Sequence, residues 1–323
     1  MITARSLARW LAVLLAGCAL ALAAAAQSGV TVDCPPQAQA LTPEEVQLGV
    51  GNAKDRGFLW RISRDGRVSY LYGTLHVAKP AWVFPGPLTA QALRASDTVA
   101  LELDKLDADI QRELVAAMAA DPDERLPEAM QARLDAQLRE ACLPPEAMAK
   151  LAPAIQLAAL STLVARRDGL DPSYAIDGFL AGIARSLGKR VVSLESPALQ
   201  VTLLKGDPKT ALRELDQGLE ELENGSARPK ALRIAQVWAD GRSEELQRYE
   251  QWCDCIKDDA DRAALKRLLD DRNPGLADRI DALHASGARV FAAVGSLHMT
   301  GPAALPTLMA RRGYAVEQVI FGR

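Results

Sequence analysis

Of the three histidines in this chain, two sit in near-identical tetrapeptides, "GTLH" at Gly73–His76 and "GSLH" at Gly295–His298. Each tetrapeptide follows an apolar run, and two carboxylates are placed in the same way, Glu102 after "TVAL" and Glu195 after "VVSL". Ligand sites in open α/β sheets lie outside the carboxyl ends of the strands, so two imidazoles and two carboxylates are expected on one rim. Such a set suits two mechanisms. Neutral imidazole and carboxylate can hold Zn²⁺, Mn²⁺ or Co²⁺ with a position open for water. Without a metal, a histidine oriented by a carboxylate can act as general base on a water attacking an ester or amide. The long-range spacing leaves both open. Structural alternatives stand beside them: Glu102 as a solvated strand end, and Glu195 as part of a helix cap with Ser196 and Pro197. His284 reads as a structural helix residue. G-x-S-x-G, H-E-x-x-H and the G-x-x-x-x-G-K-[ST] loop are all absent from the sequence, which gives no support to a serine nucleophile.

The elements that must carry these groups are legible from periodicity. "FLWRIS" and "RVSYLYGTLH" alternate around Asp65-Gly66, a strong hairpin signal, and the second strand delivers His76. "PLTAQALRAS" reads as a helix and "DTVALELD" as a strand ending near Glu102. Residues from about 105 to 170 form short helices punctuated by proline, and "YAIDGFLAGIARSLGKR" is a helix feeding the strand "VVSLES". More helices cover about 197 to 285, and the chain closes with the strand "ARVFAAVGSLH", a helix and the strand "YAVEQVIF". The expected fold is α/β, a mixed central β-sheet opened by a β-hairpin, with a large helical insertion over about 105–285 forming a cap or lobe.

With 323 residues, 24% charged, and a net charge of -3, the chain has ample core and no electrostatic footprint for nucleic acid. Arg5 and Arg9 precede the apolar run "WLAVLLAGCALALAAAA", so residues 1–26 are expected to be a secretory signal, followed by an arm over 27–54 and the folded domain over 55–323. "LAGC" at Leu15–Cys18 resembles a lipobox, which would attach the protein to a membrane through Cys18, and a retained membrane helix is a third possibility. All three place the body outside the cytosol, in the periplasm or cell envelope. Cys34, Cys142, Cys253 and Cys255 then permit two disulfides and three connectivities. The "CDC" spacing favours a disulfide or free thiol over a metal site.

Taken in order, "YLYGTLHVAKP", "VALELD", "IDGFLAGIARSLGKRVVSLES" with Gln200, "DRN" at Asp271–Asn273 and "VFAAVGSLHMTGPAALPTLMARRGYAVEQV" resemble the TraB/GumN family. That family is related to the TIKI proteases and more distantly to erythromycin esterase and the haem-binding ChaN proteins. The resemblance implies an α/β fold with a helical insertion and a site built on the two Gly-x-x-His motifs. His76, Glu102 and His298 are its first site residues, with Glu195, Asp177, Arg272 and Asn273 beside them. Ala175 stands where the family commonly has glycine before the apolar-Asp pair. The expected function is that of an exported, metal-dependent hydrolase acting on a peptide or ester bond, with Arg272 holding an anionic part of the substrate. The alternatives are a non-catalytic haem- or ligand-binding envelope protein and an accessory factor in polysaccharide export.

Overall fold

The computed structural model describes residues 34–121 and 123–322. The expected signal, the lipobox at Cys18 and the first residues of the arm lie outside the described residues. No helix among the described residues is long and apolar enough to cross a membrane.

Six strands form one mixed sheet in the order β4-β3-β5-β2-β1-β6. β1 (Phe58–Arg64) and β2 (Arg67–Thr74) make the expected hairpin. Its two-residue turn places Asp65 at φ 52° and Gly66 at φ 73°, the left-handed pair that suits the twist of a tight hairpin and that Asp-Gly tolerates. β2, β5 (Val290–Gly295), β3 (Thr98–Leu101) and β4 (Arg190–Ser193) run parallel. The outer strand β6 (Ala315–Val319) pairs antiparallel with β1. β3 and β5 are buried on both faces, and read accordingly as unbroken apolar runs. The parallel registers align four strand ends: Thr74 pairs with Gly295, and Leu101 pairs with both Ala293 and Ser193. Glu102, Glu195, His76 and His298 each follow one of these ends by one to three residues.

The described part of the N-terminal arm contains a helix, α1 (Pro43–Gly51), opened by a complete capping box in which Thr42 and Glu45 satisfy each other's backbone N–H groups. The local signal, T-P-E-E, is in the sequence; the weak hydrophobic periodicity behind it obscured it. The arm is tied down where the Tyr174 hydroxyl donates to Gln39 O at 2.8 Å and by the Cys34–Cys142 disulfide.

After α2 (Pro87–Ala95) and β3 the chain leaves the sheet through α3 (Ala108–Met118), α4 (Glu128–Glu140), α5 (Pro145–Met148) and α6 (Pro153–Leu163). It returns through α7 (Ile176–Ser186) to β4, then leaves again through α8 (Pro197–Lys205) and α9 (Ala211–Glu223). The helical lobe has its own small core, Leu134, Leu138, Leu160, Leu215 and Leu219. It is anchored to the sheet by α10 (Ala227–Ala239), whose buried Trp238 donates its indole N–H to Gly73 O at 2.8 Å. That bond pins the end of β2 immediately before the "GTLH" turn. The short helices α11 (Ser243–Gln247) and α12 (Tyr249–Trp252) and the longer α13 (Asp259–Leu268) then lead to α14 (Asn273–Ala285). After β5, α15 (Leu305–Arg311) returns the chain to β6.

His284 is structural, as expected. Fully buried on α14, its Nδ1 lies 2.9 Å from Ser69 Oγ, and that hydroxyl in turn accepts the Val290 N–H on β5.

Candidate functional site

The site begins with Glu102, one residue past the end of β3. Its carboxylate is buried and held on every side. The Gly295 N–H donates to Oε1 at 2.7 Å, while Oε2 accepts from Arg272 Nη2 at 2.6 Å and from Gln200 Nε2 at 3.2 Å. Burial alone would raise its pKa. His76, His298, Arg272 and the Gly295 amide outweigh that and lower it to about 2. Glu102 is therefore not a solvated strand end.

Glu195 is not a helix cap either, because Ser196 takes that role by accepting the Leu199 N–H. Its carboxylate instead receives Arg272 Nε at 2.9 Å, Arg272 Nη2 at 2.5 Å and Gln200 Nε2 at 3.0 Å. Arg272 Nη1 is directed to Leu268 O. The guanidinium thus clamps two carboxylates at the start of α14, and these bonds turn it inward rather than toward an anionic substrate group.

The two histidines differ sharply. His298 lies in a 3-10 turn, Ser296–Met299, and is buried. Asn273 fixes its tautomer: the Asn273 amide donates from Nδ2 to His298 O at 3.4 Å, which leaves Oδ1 to accept the imidazole Nδ1–H at 2.6 Å. Nε2 then carries the lone pair. Burial is the main reason the His298 pKa falls to about 4, with the attraction of Glu102 opposing it, so the ring is neutral at physiological pH. His76 is half exposed, with Nδ1 at 3.5 Å from Asp177 Oδ1 and Nε2 at 3.9 Å from Glu102 Oε1. Desolvation lowers its pKa, but the two carboxylates more than offset this and leave it raised.

Asp177, in the first turn of α7, belongs to the site despite Ala175 before it. Its Oδ2 accepts Lys105 Nζ at 3.2 Å, and its buried Oδ1 has no regular hydrogen-bond partner. Burial pushes this carboxyl up, and Lys105 and His76 together pull it well below the usual range. All seven expected residues are therefore brought together. Lys105 and the bridging side chain of Gln200 were not assigned a place in advance. Lys105, three residues after Glu102, stands in a charge-rich loop where nothing in the pattern singles it out.

The groups converge around Gly295. A β-carbon built on Gly295 would lie 3.1 Å from Glu102 Oε1, 3.6 Å from His76 Nε2 and 3.7 Å from His298 Cδ2. Only glycine lets Glu102, His76 and His298 all approach the backbone this closely, and a side chain at this position would crowd all three. By kind, the donors fit a divalent cation: two imidazoles, one of them fixed in its neutral tautomer by a bonded amide, and an ionised carboxylate. Among the described residues, no three His, Cys, Asp or Glu side chains already stand in a metal-holding group.

No curated protein and no solved structure matches the chain. The TraB/PrgY/gumN family profile matches residues 58–318, a span that begins with β1, ends within β6 and includes every site residue described above. With the Gly-x-x-His pair at the strand ends and a match over most of its length, the chain belongs to the TraB/PrgY/gumN family.

Proposed function

We propose that the protein is a hydrolase of peptide or ester bonds, exported to the periplasm or cell envelope, with its reaction centre over Gly295. The observation that carries this reading is the convergence of Glu102, His76 and His298 around Gly295. His298 offers a neutral Nε2 lone pair that can take a proton from water, and Asn273 keeps the ring in the required tautomer. His76, flanked by Asp177 and Glu102, holds a proton that it can pass to a leaving group. Two imidazoles whose surroundings push them in opposite directions divide the base and acid roles. Arg272 and Gln200 hold Glu102 and Glu195 in place. Were Mn²⁺, Co²⁺ or Zn²⁺ bound instead, neutral His76 and His298 with Glu102 would hold it, and the ion would supply Lewis-acid polarisation and a more acidic water in place of the histidine acid and base roles.

The test is to purify the mature protein, measure bound metal, and assay peptidase and esterase activity with and without chelator. Activity is expected to vanish in the His76→Ala, His298→Ala double variant. Full activity in that variant would overturn the proposal. An intense haem absorption band in the purified protein, without turnover, would favour a binding role instead.

A further inference from the structure

Both disulfides join cysteines present in the mature chain, and they differ in kind. Cys34–Cys142 links residues 108 apart, so it restricts the unfolded chain strongly. Cys253–Cys255 spans a separation of 2 and closes almost no loop. Its reduction frees almost no chain, so the fold can survive its opening. A bond that contributes so little to chain restriction calls for another role.

Its surroundings suit thiol exchange. The two sulfurs are unequally accessible: Cys253 is buried and Cys255 is partly exposed. Cys253 Sγ accepts the Cys255 backbone N–H at 3.2 Å, a bond that also stabilises a thiolate. Between them, Asp254 takes a left-handed conformation at φ 50°, and Lys230, shared with Glu221, donates to Asp254 O at 3.1 Å. That contact does not involve the sulfurs, so it holds the turn closed around an opened disulfide.

We propose that Cys253–Cys255 is a thiol–disulfide exchange site for a low-molecular-weight monothiol of the glutathione class, with Cys255 the attacked sulfur. An external thiolate attacks Cys255 Sγ, forming a mixed disulfide, and the electron pair of the broken bond leaves on Cys253 Sγ. A second thiolate attacks the mixed disulfide at the external sulfur. It releases the oxidised thiol and leaves Cys255 as thiolate. Two thiols are oxidised, one protein disulfide is reduced, and the two thiol protons end on Cys253 and Cys255. The reverse sequence re-forms the bond. The site lies between α12 and α13, apart from the hydrolytic centre, and does not depend on the hydrolase reading.

The experiment equilibrates the folded full chain across a series of reduced to oxidised glutathione ratios, quenches with acid, alkylates free thiols and reads each cysteine by peptide mass spectrometry. Cys253 and Cys255 are expected to become alkylated in less reducing buffers than those that open Cys34–Cys142, with circular dichroism unchanged. With oxidised glutathione, the Cys253→Ser variant is expected to form the adduct on Cys255, and Cys255→Ser to leave Cys253 unmodified. Joint reduction of both disulfides, reduction only on unfolding, or faster adduct formation on Cys253 would each overturn the proposal. If either variant misfolds, the titration of the unaltered chain decides alone.

Discussion

Arg272 Nη2 donates to Glu102 Oε2 at 2.6 Å, joining residues 170 apart in the chain. The same nitrogen also reaches Glu195, so one cation bridges two buried carboxylates at neighbouring strand ends. This clamp explains how adjacent parallel strands can each end in a buried glutamate without mutual repulsion opening the sheet edge.

Removing the cation should therefore be costly. Arg272→Met is expected to destabilise the protein by about 3 kcal/mol, because it leaves buried carboxylates uncompensated. Urea unfolding followed by circular dichroism measures this. A variant as stable as the parent would show that the clamp is not needed.

Gly295→Ala tests the close approach of the site to the backbone. Gly295 has φ -49° and ψ 138°, which alanine adopts freely, but the new methyl would stand 3.1 Å from the clamped Glu102 Oε1 and beside His76 and His298. The melting temperature should fall as Glu102 is pushed from its partners, and hydrolysis should fall by about a hundredfold or more. Retained turnover would move the reaction centre elsewhere.

The two site histidines should titrate at opposite ends of the histidine range. His298 is expected to stay neutral down to about pH 4, whereas His76 should protonate above the ordinary value of 6.5. Imidazole NMR can follow them directly, since the chain has only three histidines. The same spectra should show the Nδ1–H tautomer of His298 in the parent and its loss of definition in Asn273→Ala.

Acid should weaken the fold through two groups acting in the same direction. The Glu102 pKa is lowered on folding from 4.5 to about 2, so its stabilisation is present above about pH 4.5 and disappears as pH falls toward 2. The His298 pKa is lowered from 6.5 to about 4, so the unfolded chain binds more protons than the folded one through that interval. Each contributes at most about 3 kcal/mol. Unfolding free energy measured from pH 7 to pH 3 should decline, and Glu102→Gln should flatten the lower part of the curve.

Trp238→Phe tests how the lobe positions the first Gly-x-x-His turn. Losing the indole bond leaves the Gly73 carbonyl unsatisfied in the core and should cost about 1–2 kcal/mol. Hydrogen exchange should increase at the end of β2 more than at β3.

Much of the framework could be read locally. Asp65-Gly66 marks the hairpin, the apolar runs before Glu102 and Gly295 mark strands buried on both faces, and the strand-end position of each histidine follows from where those runs stop. The capping box at Thr42 was equally local, but it stood in a segment whose apolar positions follow no clear period. Gln200 could only be quoted as part of a motif, since its two partners are 5 and 98 residues away.

By itself, the amino-acid sequence determined the α/β layering, the parallel strand ends and the residue types gathered there, because hydrophobic periodicity and turn chemistry act over a few residues. The tertiary structure alone decided that Arg272 faces inward to Glu102 and Glu195, that Asn273 fixes the His298 tautomer, and that Asp177 stands beside His76. These relations join residues that are distant in the chain. Their energies depend on burial and on a few ångströms of separation, quantities that arise only when the strands are in register and the helices pack over them.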